Sequence, residues 1–479
     1  MKRTNEYAAQ HDIADLVIVG GGIAGLIAAN RARELGQTCL VLEKGQDRYM
    51  CNSRLTGGLF HICFKDITAP PDLLLAAMQK EVPDSLSSGQ ARAIAENAAR
   101  MIKWLQRQGI RFVRASPEEG FRCVLAPVRF SRLGLSWRGR GGDVLLRTLE
   151  QKLAERGGKL VRDARATELI VHDGRCVGVK AMVGGEERVF QARAVLIADG
   201  GFQGNADMTR RYISPNPSSI FPRGAATGNG DGIRMAEAIG AKLIGMSSFY
   251  GHVLSRSAFG NDDLWPYPIM DRVVAAGIAV SGDGTRFVDE GQGGVHQTNG
   301  IARLRNPLSA VAIFDDGIWQ TAGRSFIFPP NPYLERRGGV LLRALDLPTL
   351  AAAAGLPADA LEQTVRIYND AVLTGSTIGL DPIRSVDRYK AMPIVKPPFF
   401  AIPLCAGLTY TMGGVAIDGR AHVLDHNDRP IPGLFAAGCV TGGLEGGVRT
   451  GYIGGLAKSA SMALLAAETM AQNAGLLAA

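Results

Sequence analysis

The sequence predicts an α/β fold: a Rossmann-type domain with a β-meander, interrupted by an α+β capping domain. Three observations predict it. The chain opens on a β–turn–α–β unit with GxGxxG at Gly20, Gly22 and Gly25, and Glu43 closes its second strand. Downstream, strand-like segments with turns at "HDG" and "GGE" end in an apolar strand. A proline-rich stretch of weaker periodicity then precedes a C-terminal segment of strand, glycine cluster and helix.

"DLVIVG" (15–20) is short, apolar and β-branched, the pattern of a buried parallel strand. "GGGIAGLIAANRARELG" is a turn opening into a helix that stops at Gly36, and "TCLVLEKG" is the second strand. The first glycine permits the tight turn, the second lets the backbone approach a pyrophosphate, and the third lets helix and strand pack closely. The helix N-terminus favours phosphate charge, and Glu43 suits ribose hydroxyls. Residues 78–112 read as helical, and "GGDVLLRTLEQKLAERGGKL" as a second helix leading into a strand. "ATELIVHDGRCVGVKAMVGGEERVFQ" reads as the meander and "AVLIADGG" as a return strand. The expected boundaries are a flexible N-terminus over 1–13, the Rossmann domain over 14–246 and 411–479, and the capping domain over 247–410. "DALEQTVRIYNDAVLTG" is a capping-domain helix, "LFAAG" a strand, and 456–472 a closing helix.

Composition narrows the function. A hydrophobic fraction of 46% and a charged fraction of 20% over 479 residues describe a globular protein of two or three domains. The net charge of +8 comes from scattered Lys and Arg, which suits an anionic cofactor and small substrate rather than nucleic acid. Seven cysteines without CxxC or Cys/His spacing speak against iron–sulfur, haem and zinc, so no metal is expected. No apolar run reaches membrane-span length and the N-terminus lacks a signal-peptide pattern. The expected location is cytoplasmic.

"VIVGGGIAGLIAA…VLEKG", "AVLIADGGFQGN", "TGNGDGIRMAEAIGA", "GTRFVDE", "TMGGV" and "PGLFAAGCVTGG" occur in that order. Together they resemble the fumarate reductase/succinate dehydrogenase flavoprotein family, over roughly residues 14–470. The branch is that of dehydrogenases and desaturases similar to tricarballylate dehydrogenase and the ketosteroid desaturases. The resemblance implies an FAD-binding domain with a mobile cap, and substrate held between them. It implies that Gly20, Gly22, Ala24 and Gly25 line the pyrophosphate, with Glu43 and Lys44 at the adenosine ribose. Asn52, Ser53, Thr56, Gly57 and Gly58 would border the flavin. Ala198, Gly200 and Gly201 would touch the cofactor, and Gly438 and Gly454 would follow the flavin's pyrimidine end. The glycines of "GGLEGGVRTGYIGG" (442–455) are then expected where side chains would strike the ring. His61 falls too late in its segment to match the family's covalent histidine, so FAD is expected to be noncovalent.

The resemblance also assigns chemistry. Arg449 lines up with the family's carboxylate-binding arginine and His252 with a substrate-binding histidine. Tyr410 stands where a second substrate histidine precedes "TMGG". Gly294 stands where the reductases carry a proton-donating arginine, and His296 is the nearest polar substitute. Tyr410 and Tyr452 suit proton transfer if a nearby cation lowers a phenol pKa from about 10. Asp271–Arg272 would form a relay in the cap, and Arg286–Glu290 an ion pair near the site. The implied activity is FAD-dependent dehydrogenation, or reduction, of a small carboxylate or ketone α,β to its carbonyl, by hydride transfer at flavin N5. A separate electron acceptor or donor would complete the cycle. The alternatives are a fumarate reductase-type enoate reductase with an external donor, an L-aspartate-type oxidase, and a non-catalytic electron-relay subunit.

Overall fold

The computed structural model describes residues 14–46, 50–128, 137–325 and 328–477; the N-terminus over 1–13 lies outside them. The expected fold class is found. Six strands of an eight-stranded sheet run in the order His422–Leu424, Pro430–Ala436, Glu186–Ile197, Ala14–Val19, Cys39–Leu42, Lys159–Val161, and Ala164–His172 and Arg175–Val183 complete it. The pairings from Pro430–Ala436 across to Lys159–Val161 are all parallel. Val17, Ile18, Val41, Leu196 and Ile197 are fully buried, which explains their unbroken apolar runs. Burying one such side chain contributes about 1.5–3 kcal/mol.

Helix Ile23–Glu34 packs on the closing helix Gly455–Asn473. Small residues at the buried positions, among them Ala28, Ala29, Ala460, Ala463 and Ala467, let the two backbones approach closely. Two expectations change. The helix expected over 78–112 is two helices, Pro71–Glu81 and Ser88–Arg107. Pro83 forces the break by holding Val82 out of helical geometry, at φ −131° and ψ 74°. The last meander strand and the return strand are one continuous strand, Glu186–Ile197. Its first half pairs antiparallel with Arg175–Val183, and its second half pairs parallel with Ala14–Val19.

The second sheet has six strands, built around Phe399–Thr411. That strand pairs with Ile220–Pro222, Phe249–Ser255, Val311–Asp315 and Leu342–Ala344. The sheet therefore takes its first strand from upstream of residue 247. Among the described residues no helix is long and apolar enough to cross a membrane, and no cluster of His, Cys, Asp and Glu could hold a metal ion.

Candidate active site

The strand Ala14–Val19 delivers Gly20 into a turn at φ +103°, where glycine is needed. A Cβ on Gly25 would lie 1.9 Å from the Gly20 carbonyl oxygen, so helix and turn meet only with glycine there. Gly25→Ala is expected to yield protein without bound flavin, read from its visible absorbance. Gly22 differs. A Cβ there would meet only Ser53 Oγ, at 3.6 Å, so its openness serves something outside the protein. Gly22 gives helix Ile23–Glu34 no side-chain cap of its own; Ser53 Oγ accepts from the Ile23 N–H at 3.1 Å, and the charge of the helix N-terminus suits a phosphate. Glu43 accepts from the Gly21 and Gly45 backbone N–H groups, both at 2.7 Å, bracing the turn.

The cleft is walled by Gly20, Gly22, Ala24, Glu43, Lys44, Asn52, Ser53, Ala198, Gly200, Gly201 and Gly438. All are residues expected at the cofactor. Sequence reasoning missed Arg165, Asp199, Gln203, Asp231, Cys439 and Ser459 on the same wall. Asp231 is buried, which alone would raise its carboxyl, yet Arg165 and Lys44 pull it down to about 2. Asp199 is pushed up to about 6 by burial, and its Oδ1 has no partner, a ready acceptor for a ligand hydroxyl or amine. An open glycine turn, a helix N-terminus on the cleft wall and an orphaned acceptor together fit a dinucleotide.

Ile23, Asn52, Ser53, Cys439 and Ser459 also border a second cavity of about 420 Å³. Thr56, Gly57 and Gly58 line it, and so do Gly455 and Leu456 at the start of the closing helix. Its remaining wall is rich in aromatic and charged groups, including Phe64, Arg223, Tyr250, His252, Asp271, Arg272, Tyr410 and Tyr452. His61 is there too; burial drops its imidazole to about 4, and its Nδ1 accepts from the Phe64 N–H at 3.1 Å.

A hydrogen-bonded chain crosses this wall. Asp271 Oδ2 lies 2.6 Å from His252 Nδ1, and its Oδ1 accepts from the Val253 N–H. A carboxylate partner places the proton on Nδ1, so Nε2 accepts from the Tyr250 hydroxyl at 3.1 Å. The Tyr250 ring stacks on Tyr452 with centroids 4.1 Å apart. Tyr250 and His252 share one strand, two residues apart, and therefore one face. Sequence reasoning identified His252 but missed Tyr250; that spacing was its signal. Burial holds Tyr250 above the ordinary phenol range, although the Arg223 charge opposes the shift.

Tyr410 and Tyr452 both line the cavity, but neither phenol is acidified. Burial and then the Glu445 carboxylate raise Tyr410 well above 10, and burial and then Tyr250 raise Tyr452. Tyr410 donates to both Glu445 oxygens at 3.1 Å. Glu445 also accepts from the Ile453 and Gly454 N–H groups and from Lys458 Nζ at 2.9 Å. The proton of Tyr410 is thus committed to a buried network.

Arg449 lies elsewhere. Gly446 and Gly451 exchange two backbone hydrogen bonds, at 2.9 and 2.7 Å, and so close a short loop. Its tip turns outward, leaving the Arg449 side chain 43% exposed and 3.8 Å from Asp387. Arg449 does not reach the cavity wall. His296 is half-buried beside that loop, 3.4 Å from Thr450 Oγ1, and does not line the cavity. Arg286 pairs with Glu290 inside the cap, with Arg384 as a second partner, again off the wall. Three of the seven glycines of 442–455 press on protein backbone: Gly442 on the Ile244 carbonyl, Gly451 on that of Glu81, Gly454 on that of His61. Only Gly455 among them borders the cavity.

Residues 15–454 match the FAD binding domain family. The chain is 26% identical over 471 residues to the vinyl phenol reductase of Lactiplantibacillus plantarum, covering 91% of this chain and 92% of that protein. It is 29% identical over 360 residues to the NADH:acrylate oxidoreductase of Vibrio harveyi, covering 73% of this chain. The chain spans only about a third, 34%, of that longer relative. In fold it is similar to the 3-ketosteroid-Δ4-(5α)-dehydrogenase of Rhodococcus jostii, solved with 4-androstene-3,17-dione, at a TM-score of 0.72 and 23% identity. The likeness covers 97% of this chain and 98% of that one.

Proposed function

This chain belongs to the FAD-binding family that includes fumarate reductases and 3-oxosteroid dehydrogenases, an FAD-dependent oxidoreductase of CH–CH bonds. From that premise we propose that it interconverts a CH–CH and a C=C bond next to a carbonyl or carboxylate on a ring-bearing substrate, with Tyr250 as the proton carrier. The Asp271–His252–Tyr250 chain on the cavity wall carries this reading. FAD, when bound, takes or gives the hydride at N5. In desaturation, the proton on the carbon beside the carbonyl leaves to Tyr250 Oη as the hydroxyl's own proton passes to His252 Nε2. The electron pair of that C–H bond becomes the new π bond as hydride leaves the neighbouring carbon. Asp271 holds the imidazole in orientation and stabilises its cationic form. Reduction runs the same steps backwards.

The aromatic walls support a ring-bearing substrate, since Tyr250, Tyr267, Trp265 and Phe64 offer flat apolar faces. Relatives named for a vinyl phenol and for a 3-oxosteroid agree with that choice. Electrons enter or leave through a separate acceptor or donor.

The test is anaerobic. Cyclic ketones and arylpropionates are added to the oxidised yellow protein, and the unsaturated partners to the reduced one. Bleaching in the first case or reoxidation in the second supports the reading. Silence in both favours an electron-relay subunit. Arg449→Ala is expected to leave turnover within about threefold of wild type, because exposed substitutions away from the site change little. A loss of several orders of magnitude would restore Arg449 as the carboxylate anchor.

A further inference from the structure

We propose that Arg223 binds the anionic oxygen of the substrate, which makes this a site for aromatic acids or their phenolate equivalents. This rests on the CH–CH reading above and deepens it. Arg223 follows the strand Ile220–Pro222 and keeps its register, with its N–H donating to the Leu408 carbonyl at 2.8 Å. Its residue is 9% exposed. Nη1 donates to Thr409 Oγ1 at 3.0 Å and Nη2 to the Pro266 carbonyl at 3.1 Å, while Nε is buried without a partner. Among the described residues no carboxylate pairs with it; the nearby Asp271 is engaged by His252 and Val253.

A guanidinium buried with two neutral acceptors and no counter-ion is costly unless something else supplies the charge. It faces a cavity and still has free donors in a planar fork, the geometry that carboxylates and phenolates satisfy. The protein also makes room for this side chain. A Cβ on Gly407 would fall 2.5 Å from Arg223 Cδ, so the glycine in strand Phe399–Thr411 is the slot for the arginine stem. Tyr250 and Tyr267 lie close enough for the Arg223 charge to be felt at both phenols. The cation therefore sits beside the proton carrier, where it fixes one end of a substrate while Tyr250 addresses the carbon next to it.

Binding of two probes to the oxidised FAD-loaded enzyme tests this without turnover. Benzoate carries the anion; benzamide has the same shape without the charge. Perturbation of the flavin spectrum gives each Kd. Wild type is expected to bind benzoate more tightly than benzamide. Arg223→Gln should weaken benzoate about 10- to 100-fold, the range of a charged hydrogen-bonded contact, and leave benzamide within about twofold. Benzoate should also raise the Tm of wild type and not that of the variant. Gly407→Val fills the slot and should reproduce the loss with Arg223 intact. Equal binding of benzoate by wild type and Arg223→Gln overturns the proposal. So does loss of benzoate binding in Arg272→Gln, the other guanidinium on this wall, with Arg223→Gln unaffected. A silent substrate panel together with charge-selective benzoate binding would sink the redox reading and leave the anion site standing.

Discussion

Tyr250→Phe is expected to lower the rate of substrate-driven flavin reduction by about 10²- to 10⁴-fold, the usual contribution of a positioned acid or base. The substitution removes one oxygen. It keeps the ring that stacks on Tyr452, and it leaves the Asp271–His252 pair in place at 2.6 Å. FAD content and the spectral response to bound ligand should therefore stay as in wild type, so that only the chemical step slows. Stopped-flow absorbance separates binding from reduction. Because burial holds the Tyr250 phenol well above its ordinary range, no phenol ionisation should appear in the pH–rate profile near neutrality. A variant that reduces flavin at the wild-type rate would move proton transfer off this residue, with Tyr452 the neighbour to examine next.

Glu445→Ala should cost about 3–5 kcal/mol of stability, the penalty for breaking a buried ion pair from one side. The side chains of Glu445 and Lys458 are 0% and 1% exposed. Burial alone would drive Lys458 towards neutrality, and the Glu445 carboxylate more than reverses that, leaving it above its ordinary value. Without Glu445 the ammonium group is stranded, and Tyr410 and two backbone N–H groups lose their acceptor as well. Denaturant unfolding of the FAD-loaded protein measures the loss. Adding Lys458→Met to Glu445→Ala should recover part of it, since the stranded charge is then gone. If the double variant is as unstable as the sum of the two single variants, the pair contributes through packing rather than charge.

These two networks mark where sequence reasoning reached and where it stopped. The glycine turn, Glu43 and the strands beside them are local: each residue's reason lies within one βαβ unit, and the structure puts them together as expected. The site's other half is assembled from distant segments. Tyr250 in a run of buried strand residues reads as core, and only its pairing with His252 two positions on hints at a relay. Arg223 acquires meaning from Gly407, which lies on another strand. Arg449 went the opposite way. Its neighbours in sequence pointed to the substrate, but the Gly446–Gly451 bonds settle where it faces, and those depend on three-dimensional closure.

The strand Phe399–Thr411 bears on which length changes the chain tolerates. It pairs with four others, and it sets Gly407 beneath Arg223, Thr409 against its guanidinium and Tyr410 over Glu445. A single-residue deletion there would move every later side chain to the opposite face. The arginine slot, the tyrosine and its acceptor would be lost in one event. The meander turn at Gly184 and Gly185 is exposed, and a Cβ on either glycine would meet nothing, so that segment has no such contacts to keep. Natural length variation among relatives of this enzyme should accordingly collect in that segment and spare the strand.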